Sequence, residues 1–208
     1  MSVLTSTKDG FQASIDPATK QIDTVKFVAA CQDVAKIYDA LFMGLIASQL
    51  KGDITNSSSC LQKAFLANPV DRATLQALVD NELKLFGKDK VRVNKASGIV
   101  SLLWAKRAVT FILTYLDFLG TKPDWSAGQC AQQTYEVVLK RYHGWLTAKM
   151  VGAAMGLAPS REDIFVKLGL PKGGESAAIA EFVAVLKLVM GEVHRLLSEN
   201  DCDFPDTV

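Results

Sequence analysis

Apolar residues recur at steps of three and four along almost the whole chain, and this repeat restricts the fold more than any other feature. Such spacing places the apolar side chains on one face of an α-helix. No segment alternates apolar and polar residues between turn signals, as a half-buried β-strand would. The sequence therefore predicts an all-α protein of about eight helices. The first clear stripe consists of Phe27, Cys31, Val34, Tyr38, Leu41 and Leu45.

Signals for helix ends divide this repeat into segments. One helix is expected over residues 24–50 and a second over residues 53–67. Asn68 is expected to cap the third, which Gly87 would end. Further helices are predicted over residues 93–119, 126–142, 160–169 and 176–200.

The segment over residues 93–119 is too apolar for a surface helix. Its apolar positions cover more than one face, so we expect it to be buried on both sides. Lys106 and Arg107 lie near its centre, and each would cost about 2.5–3.5 kcal/mol at the middle of a bilayer. A core helix is therefore expected, not a membrane span, with the two cations in a solvated strip.

Length and charge exclude several classes of protein. With 208 residues, of which 49% are hydrophobic, the chain can form a single domain over residues 1–208. Residues 1–22 are expected to be a partly ordered N-terminal segment. A net charge of +1 argues against binding to nucleic acid and against a polybasic membrane clamp. The N-terminus has no basic stretch followed by an apolar run, so a cytoplasmic protein is expected.

The chain has few residues suited to metal binding or catalysis. Its four cysteines form no CxxC pair, and with two histidines they make a poor zinc site, so neither a metal nor another cofactor is expected. Motifs of the nucleotide-loop, HExxH and GxSxG types are missing from the sequence. His143 and His194 could act as general bases, but neither stands near a serine or cysteine with the context of a nucleophile. An enzyme is therefore not expected.

Three groups of polar or aromatic residues stand in apolar surroundings. Taken alone, each is typical of ordinary structure: a solvated helix face, a core tryptophan or a structural histidine. The first group has the spacing of one helix face, and its members are Asp53, Asn56, Ser57 and Cys60. The second group is Trp104. The third is His143, which stands between Tyr142 and Trp145.

The sequence contains four motifs in a fixed order, and three of them include a residue from these groups. The combination resembles the glycolipid transfer protein family from about Asp23 to Leu170. The resemblance implies a two-layer helical sandwich and a non-enzymatic protein that binds one sphingolipid, with the sugar at the surface and the hydrocarbon chains in an apolar tunnel. The motifs are "GDI" at 52–54, "NP" at 68–69, "LLWAKRAVTFI" at 102–112 and "YEVVLKRYHGW" at 135–145.

The same resemblance implies roles for individual residues. Asp53 matches the family's acceptor for the lipid's amide and hydroxyl groups, and His143 matches the donor to the amide carbonyl. Trp104 matches the indole that stacks beneath the first sugar, while Trp145, with its neighbour Tyr142, is a candidate membrane contact. Such partners are physically reasonable, because an amide left without hydrogen bonds in hydrocarbon costs about 1–3 kcal/mol.

Two positions depart from the family pattern. The family's asparagine four residues after the aspartate is Ser57 here, with Asn56 one place earlier, and its lysine seven residues after the aspartate is Cys60. In the family's phosphate-binding branch, arginines occupy the positions of Trp104 and Val100, and the side chains present here favour a neutral sugar. We therefore expect a monomeric carrier or sensor of a simple glycosphingolipid. Two alternatives stay open, namely a different lipid on the same fold and a helical adaptor that transfers none.

The resemblance also leads to a prediction for the membrane step. Trp145→Ala should slow lipid transfer between vesicles more than it weakens lipid binding in solution, because an amphipathic ring is favoured at the bilayer interface. Transfer rate and binding affinity of the variant would be measured in parallel. An equal loss in both would count against an interfacial role for this side chain.

Overall fold

The computed structural model describes residues 2–144, 151 and 158–206, with the backbone alone at 45 and 46. Across these residues there are nine α-helices, a short 3₁₀ turn at Lys140–Tyr142 and two isolated β-bridges, but no strand. The prediction of an all-α protein is confirmed. The helices are α1 (Val3–Ser14), α2 (Thr24–Leu41), α3 (Gly44–Ala67), α4 (Leu75–Phe86), α5 (Lys88–Val93), α6 (Gly98–Thr121), α7 (Ala127–Val138), α8 (Arg161–Lys167) and α9 (Glu175–Glu199).

Five helices form a closed ring of neighbours around the core. α1 packs against α2, α2 against α3, α3 against α6 and α6 against α9, which returns to α1. α6 also packs against α4 and α7, so it runs through the middle of the protein. The buried side chains form one connected cluster. Its largest fully buried members include Phe11, Phe27, Tyr38, Phe111, Tyr115, Tyr135 and Phe182.

Helix α6 confirms the core helix predicted over residues 93–119. It starts a little later than expected, because the Ser97 hydroxyl accepts a hydrogen bond of 3.1 Å from the Val100 N–H and so caps the first turn. Buried residues occupy its whole circumference. Length and composition alone would let α6 cross a membrane, but most of it is enclosed by the other helices, as in the core of a globular protein.

Lys106 and Arg107 are buried in this structure, so the predicted solvated strip is wrong. Lys106 Nζ lies 2.8 Å from Asp203 Oδ1, and the Arg107 guanidinium donates to the Phe204 carbonyl. Both partners belong to the segment after α9, which no local sequence pattern places beside α6. A buried cation requires such a partner, because the charge would otherwise lose its hydration without compensation.

The helix predicted over residues 24–50 breaks after Leu41 into α2 and the beginning of α3. The break predicted between residues 50 and 53 is wrong, because α3 continues to Ala67. Phe42 has an extended backbone at φ −134° and ψ 165°. Its ring packs against Phe111, with the ring centroids 6.0 Å apart. Gly44 follows with φ +62°, in the left-handed region that favours glycine. The apolar spacing continues through this break, so periodicity alone does not reveal it.

Asn68 ends α3 and does not begin α4, so the predicted cap is wrong. The Asn68 N–H donates to the Phe65 carbonyl at 3.0 Å. Turns occupy residues 68–73, and α4 begins after Thr74, whose hydroxyl accepts from the Ala77 N–H at 3.2 Å. Asparagine and threonine both cap helices well, so the path of the chain decides which of them does so here.

Residues 3–14 form helix α1, in contrast to the partly ordered segment predicted over 1–22. Leu4 and Phe11 are buried, and the Phe11 ring meets the Phe27 ring edge to face at a centroid distance of 5.8 Å. A helix this short is marginal by itself in water. Packing against α2 and α9 therefore stabilises it.

A buried carboxylate fixes the start of α6. Glu82 accepts hydrogen bonds from the Gly98 and Ile99 N–H groups at 2.9 and 3.1 Å. Arg72 Nη1 lies 3.6 Å from the same carboxylate. A Cβ atom at Gly98 would lie 2.8 Å from Leu78 Cδ2, so only glycine allows this close approach of α6 to α4. The carboxylate thus satisfies two N–H groups of the first turn that have no partner within the helix.

We predict that Glu82→Ala lowers the free energy of unfolding by about 3–5 kcal/mol, because it leaves the Arg72 cation buried beside unpaired N–H groups. Asp39→Ala is the control, since it removes an ion pair to Lys51 that is about half exposed and is worth at most about 1 kcal/mol. Urea denaturation of both variants measures the difference. Equal losses would show that burial of the Glu82 pair is unimportant.

Candidate functional site

A cavity of about 330 Å³ opens beside α3 and α6. It brings together residues from α2, α3 and α6 with the end of the α7 region and the segment after α9. Its apolar lining consists of Leu50, Val100, Leu103, Ala108, Leu139 and Phe204. Five of the six residues predicted to bind a lipid headgroup also line it, namely Asp53, Asn56, Ser57, Trp104 and His143.

The spacing of α3 explains which of its polar residues reach the cavity. Asp53, Asn56 and Ser57 lie within about one turn and therefore share a face and a height along the helix. Cys60 shares the face but lies about 10 Å along the axis from Asp53 and about 4.5 Å from Ser57, at about 1.5 Å per residue. It does not line the cavity, and its Sγ lies 3.9 Å from Asn56 Oδ1. The cavity therefore does not bring Cys60 together with the other five residues, and its headgroup role stays a prediction.

Asp53 presents a carboxylate to the cavity. Its side chain is reachable by solvent, yet the protein around it removes enough water to raise its pKa. Burial of Tyr38 raises the pKa of that phenol, and the nearby Asp53 charge raises it further, so Tyr38 stays neutral. The Tyr38 hydroxyl donates to the Ala108 carbonyl at 3.1 Å. Asp53 consequently remains available as an acceptor for a ligand.

His143 is half-buried and lines the same cavity. Desolvation lowers its pKa below the ordinary value of 6.5, so the imidazole is neutral at neutral pH. Its Nδ1 lies 2.9 Å from the Tyr135 hydroxyl. When this hydroxyl donates to Nδ1, the ring proton stands on Nε2 and can be donated to a carbonyl. A buried tyrosine thus orients the donor predicted from the sequence.

Trp104 belongs to a stack of aromatic rings and one cation. The Arg107 guanidinium carbon lies 4.6 Å from the Trp104 ring centroid and 3.5 Å from the Tyr142 centroid. The two rings meet edge to face at 6.3 Å. Arg107 thus holds the indole by cation–π attraction. Tyr142 is buried in this stack, and its contact with a membrane stays a prediction; Trp145 lies outside the described residues.

The structure adds cavity residues that the sequence did not reveal. Arg92 and Lys95 come from α5 and the turn after it, whereas Phe204 and Asp206 come from the segment after α9. None of these residues belongs to the four motifs, and their positions in the sequence give no signal of a shared site. Arg92 and Lys95 introduce cations at a site where α3 has none, since Cys60 stands at the position of the family's lysine.

Comparison with known proteins identifies the family. Residues 22–170 match the family model described as Glycolipid transfer protein (GLTP). The chain belongs to the glycolipid transfer protein family. Glycolipid transfer protein B of Xenopus laevis is 32% identical over 162 residues, which cover 76% of this chain and 75% of that protein. Proteins of this family carry lipids without catalysing a reaction, so the prediction that the chain is not an enzyme is confirmed, and its ligand is a lipid.

Solved structures share the fold. HET-C2, a fungal glycolipid transfer protein, has a TM-score of 0.78 at 25% identity and covers 91% of this chain and 93% of its own. Mouse ceramide-1-phosphate transfer protein in its apo form has a TM-score of 0.87 at 18% identity and covers 97% of this chain and 98% of its own. The predicted fold class, an all-α sandwich of the glycolipid transfer protein type, is confirmed.

We predict that Asp53→Asn stabilises the protein at neutral pH. Because folding raises the pKa of Asp53, the folded state holds this proton more tightly than the unfolded chain does. The ionised carboxylate therefore costs stability once the pH rises above its ordinary pKa of 3.8. Removing the charge should increase the free energy of unfolding at pH 7, and the gain should shrink as the pH falls towards 3.8, as measured by urea denaturation.

Asp80→Asn, on the exposed face of α4, is the matched control and should leave stability nearly unchanged at every pH. A loss of stability in Asp53→Asn at pH 7 would mean that the carboxylate holds the fold together. Such a result would contradict its assignment as a group kept for a ligand.

Proposed function

We propose that this member of the family is a carrier or sensor of a simple glycosphingolipid. The observation that carries the proposal is the convergence of three different groups on one cavity: the Asp53 carboxylate, the Trp104 indole and the His143 imidazole. An acceptor, a flat aromatic face and a donor are what a sugar joined to an amide requires.

Each group has a counterpart in the lipid. Sugar rings present C–H groups on one face, which pack against an indole, while their hydroxyls donate to a carboxylate. The amide N–H is a further donor for Asp53, and the amide carbonyl accepts from His143 Nε2. These contacts replace the water that the amide loses as the chains enter the protein.

The size of the cavity supports a mechanism in which helices part to admit the chains. About 330 Å³ lies at the lower end of the range for small-molecule pockets. Such a volume accommodates a headgroup and the beginning of a hydrocarbon chain, but two full chains need more room. Separation of neighbouring helices would enlarge the apolar end while α6 keeps Trp104 in position.

A phosphate-headed sphingolipid is the second candidate, because Arg92, Lys95 and Arg107 line the same cavity. Two of these cations are already engaged: Arg92 pairs with Asp206, and Arg107 donates to a carbonyl and contacts two rings. Trp104 and Val100 also supply no charge. The arrangement therefore favours a neutral sugar over a phosphate.

The proposal also covers the cellular location of the protein, its oligomeric state and its contact with membranes. We expect a cytoplasmic monomer that meets membranes transiently, because a net charge of +1 gives little attraction to anionic lipids. A helical adaptor without lipid transfer is the remaining alternative. It predicts no bound lipid and a dependence on an exposed apolar patch for partner binding.

Transfer of labelled glucosylceramide or galactosylceramide between vesicles tests the proposal. Trp104→Ala and Asp53→Val should each reduce the rate at least about tenfold, as expected when a stacking platform or a charge-assisted hydrogen bond is removed. Trp125→Ala is the matched control, since Trp125 packs against Phe118, far along α6 from the cavity. If the unaltered protein moves neither lipid, the proposed function is wrong.

Native mass spectrometry of protein purified from a eukaryotic host separates the candidates. A bound mass equal to a hexosylceramide supports the proposal, whereas a phosphorylated sphingolipid supports the second candidate. Protein free of lipid in both the purified sample and after incubation with glycosphingolipid micelles would favour the adaptor.

A further inference from the structure

We propose that the segment 202–206, here called the C-terminal strap, limits the size of the headgroup that the cavity accepts, and that the Arg92–Asp206 ion pair is the releasable end of this strap. The inference rests on the proposed function, because it concerns which glycosphingolipids enter the site. It assigns a role in specificity to residues outside the four sequence motifs.

The strap forms part of the cavity wall. Phe204 and Asp206 both line the cavity that contains Trp104 and Asp53. Phe204 is buried, and the Arg92 guanidinium carbon lies 5.8 Å from its ring centroid. A sugar stacked on Trp104 shares the cavity with these two strap residues. A larger headgroup therefore needs the space that they occupy.

The inner end of the strap is held firmly. Asp203 pairs with Lys106 at 2.8 Å, and the side chains are 25% and 10% exposed, respectively. Asp203 also lowers the net cost of burying this lysine, whose pKa is reduced by desolvation. The Phe204 carbonyl accepts from Arg107, whose side chain is buried. Moving this end would remove a hydrogen-bond partner from each of two buried cations, which is costly.

Among the residues up to 206 that the structure describes, the outer end is held by one exposed ion pair, between Asp206 and Arg92. Asp206 accepts two hydrogen bonds from Arg92, of 2.9 Å from Nε and 2.7 Å from Nη2. These bonds lower the pKa of Asp206, so the pair is ionised at neutral pH. Both side chains are about half exposed, and exposed pairs contribute little to stability. The strap can therefore open at Asp206 while Asp203 stays fixed.

Because the outer end of the strap is held more weakly than the inner end, opening of the ion pair changes the width of the cavity. With the pair closed, Phe204 and Asp206 narrow the headgroup end, and a single sugar beside Trp104 is accepted. With the pair open, Asp206 retreats while Phe204 stays in place, and a headgroup of two sugars can extend past it. Selection by the strap is therefore steric and acts on the size of the headgroup, whereas Asp53 and His143 recognise the part common to all these lipids.

The test compares the transfer rates of glucosylceramide and lactosylceramide between neutral phosphatidylcholine vesicles. Arg92→Gln and Asp206→Asn should each raise the ratio of lactosylceramide to glucosylceramide transfer about two- to fivefold, because loss of a weak, exposed ion pair permits only a modest change. Raised salt should increase the same ratio in the unaltered protein, because salt screens an exposed pair. In Asp206→Asn the ratio should not respond to salt.

Asp201→Asn is the matched control, because the Lys88–Asp201 pair is also exposed, with 3.4 Å between the charged atoms, but neither residue lines the cavity. Its ratio should equal that of the unaltered protein. The exchange of Arg92→Asp with Asp206→Arg should restore the original ratio. Thermal unfolding of every variant checks that the fold is kept.

The outcomes separate the inference from the proposed function. If glucosylceramide is transferred but the ratio is unchanged in Arg92→Gln and Asp206→Asn, the strap does not select by size. A fall in the ratio would also overturn the inference, since it would mean that Arg92 and Asp206 bind the second sugar directly. Absence of any glycosphingolipid transfer by the unaltered protein would overturn both.

Discussion

Arg107 is a buried cation at the point where the core helix, the cavity and the C-terminal strap meet. Its charge is accommodated by the Phe204 carbonyl and by the faces of Trp104 and Tyr142. Since removing a partner from a buried charge is expensive, these groups must be assembled together. The position of the indole is therefore coupled to the position of the strap, and both depend on the correct packing of α6.

On the polar side of the cavity, loss of hydration shifts the pKa values of the ionisable side chains. Asp53 has a raised pKa and His143 a lowered one, and desolvation is the main cause in both cases. Neither group gains enough from its protein neighbours to offset the loss of water. Such uncompensated groups are typical of sites that await a ligand. Glu82 is the contrast, because its carboxylate is satisfied by backbone N–H groups and by Arg72 and serves the fold alone.

The departure from the family pattern at Cys60 affects where positive charge enters the cavity. Cys60 lies beyond the cavity, so the lysine that the family has at this position is not replaced by a neighbour on α3. Arg92 and Lys95 bring positive charge to the same cavity from α5 and the turn after it. Arg92 is also occupied by Asp206, which connects the charge of the site to the strap. The charged residues that line the cavity consequently come from elements that are distant in sequence.

The sequence by itself determined the helical class and the core position of α6. It also singled out Asp53, Trp104 and His143, which line one cavity in the structure. Both were accessible because helical periodicity and the motifs are local properties of the chain. Periodicity did not reveal the break at Phe42, where the apolar spacing continues unchanged. Only the tertiary structure decided that Lys106 and Arg107 are buried and that the strap borders the cavity. The physical reason is that burial of a charge depends on a partner, and these partners lie almost a hundred residues away, where no short-range pattern connects them.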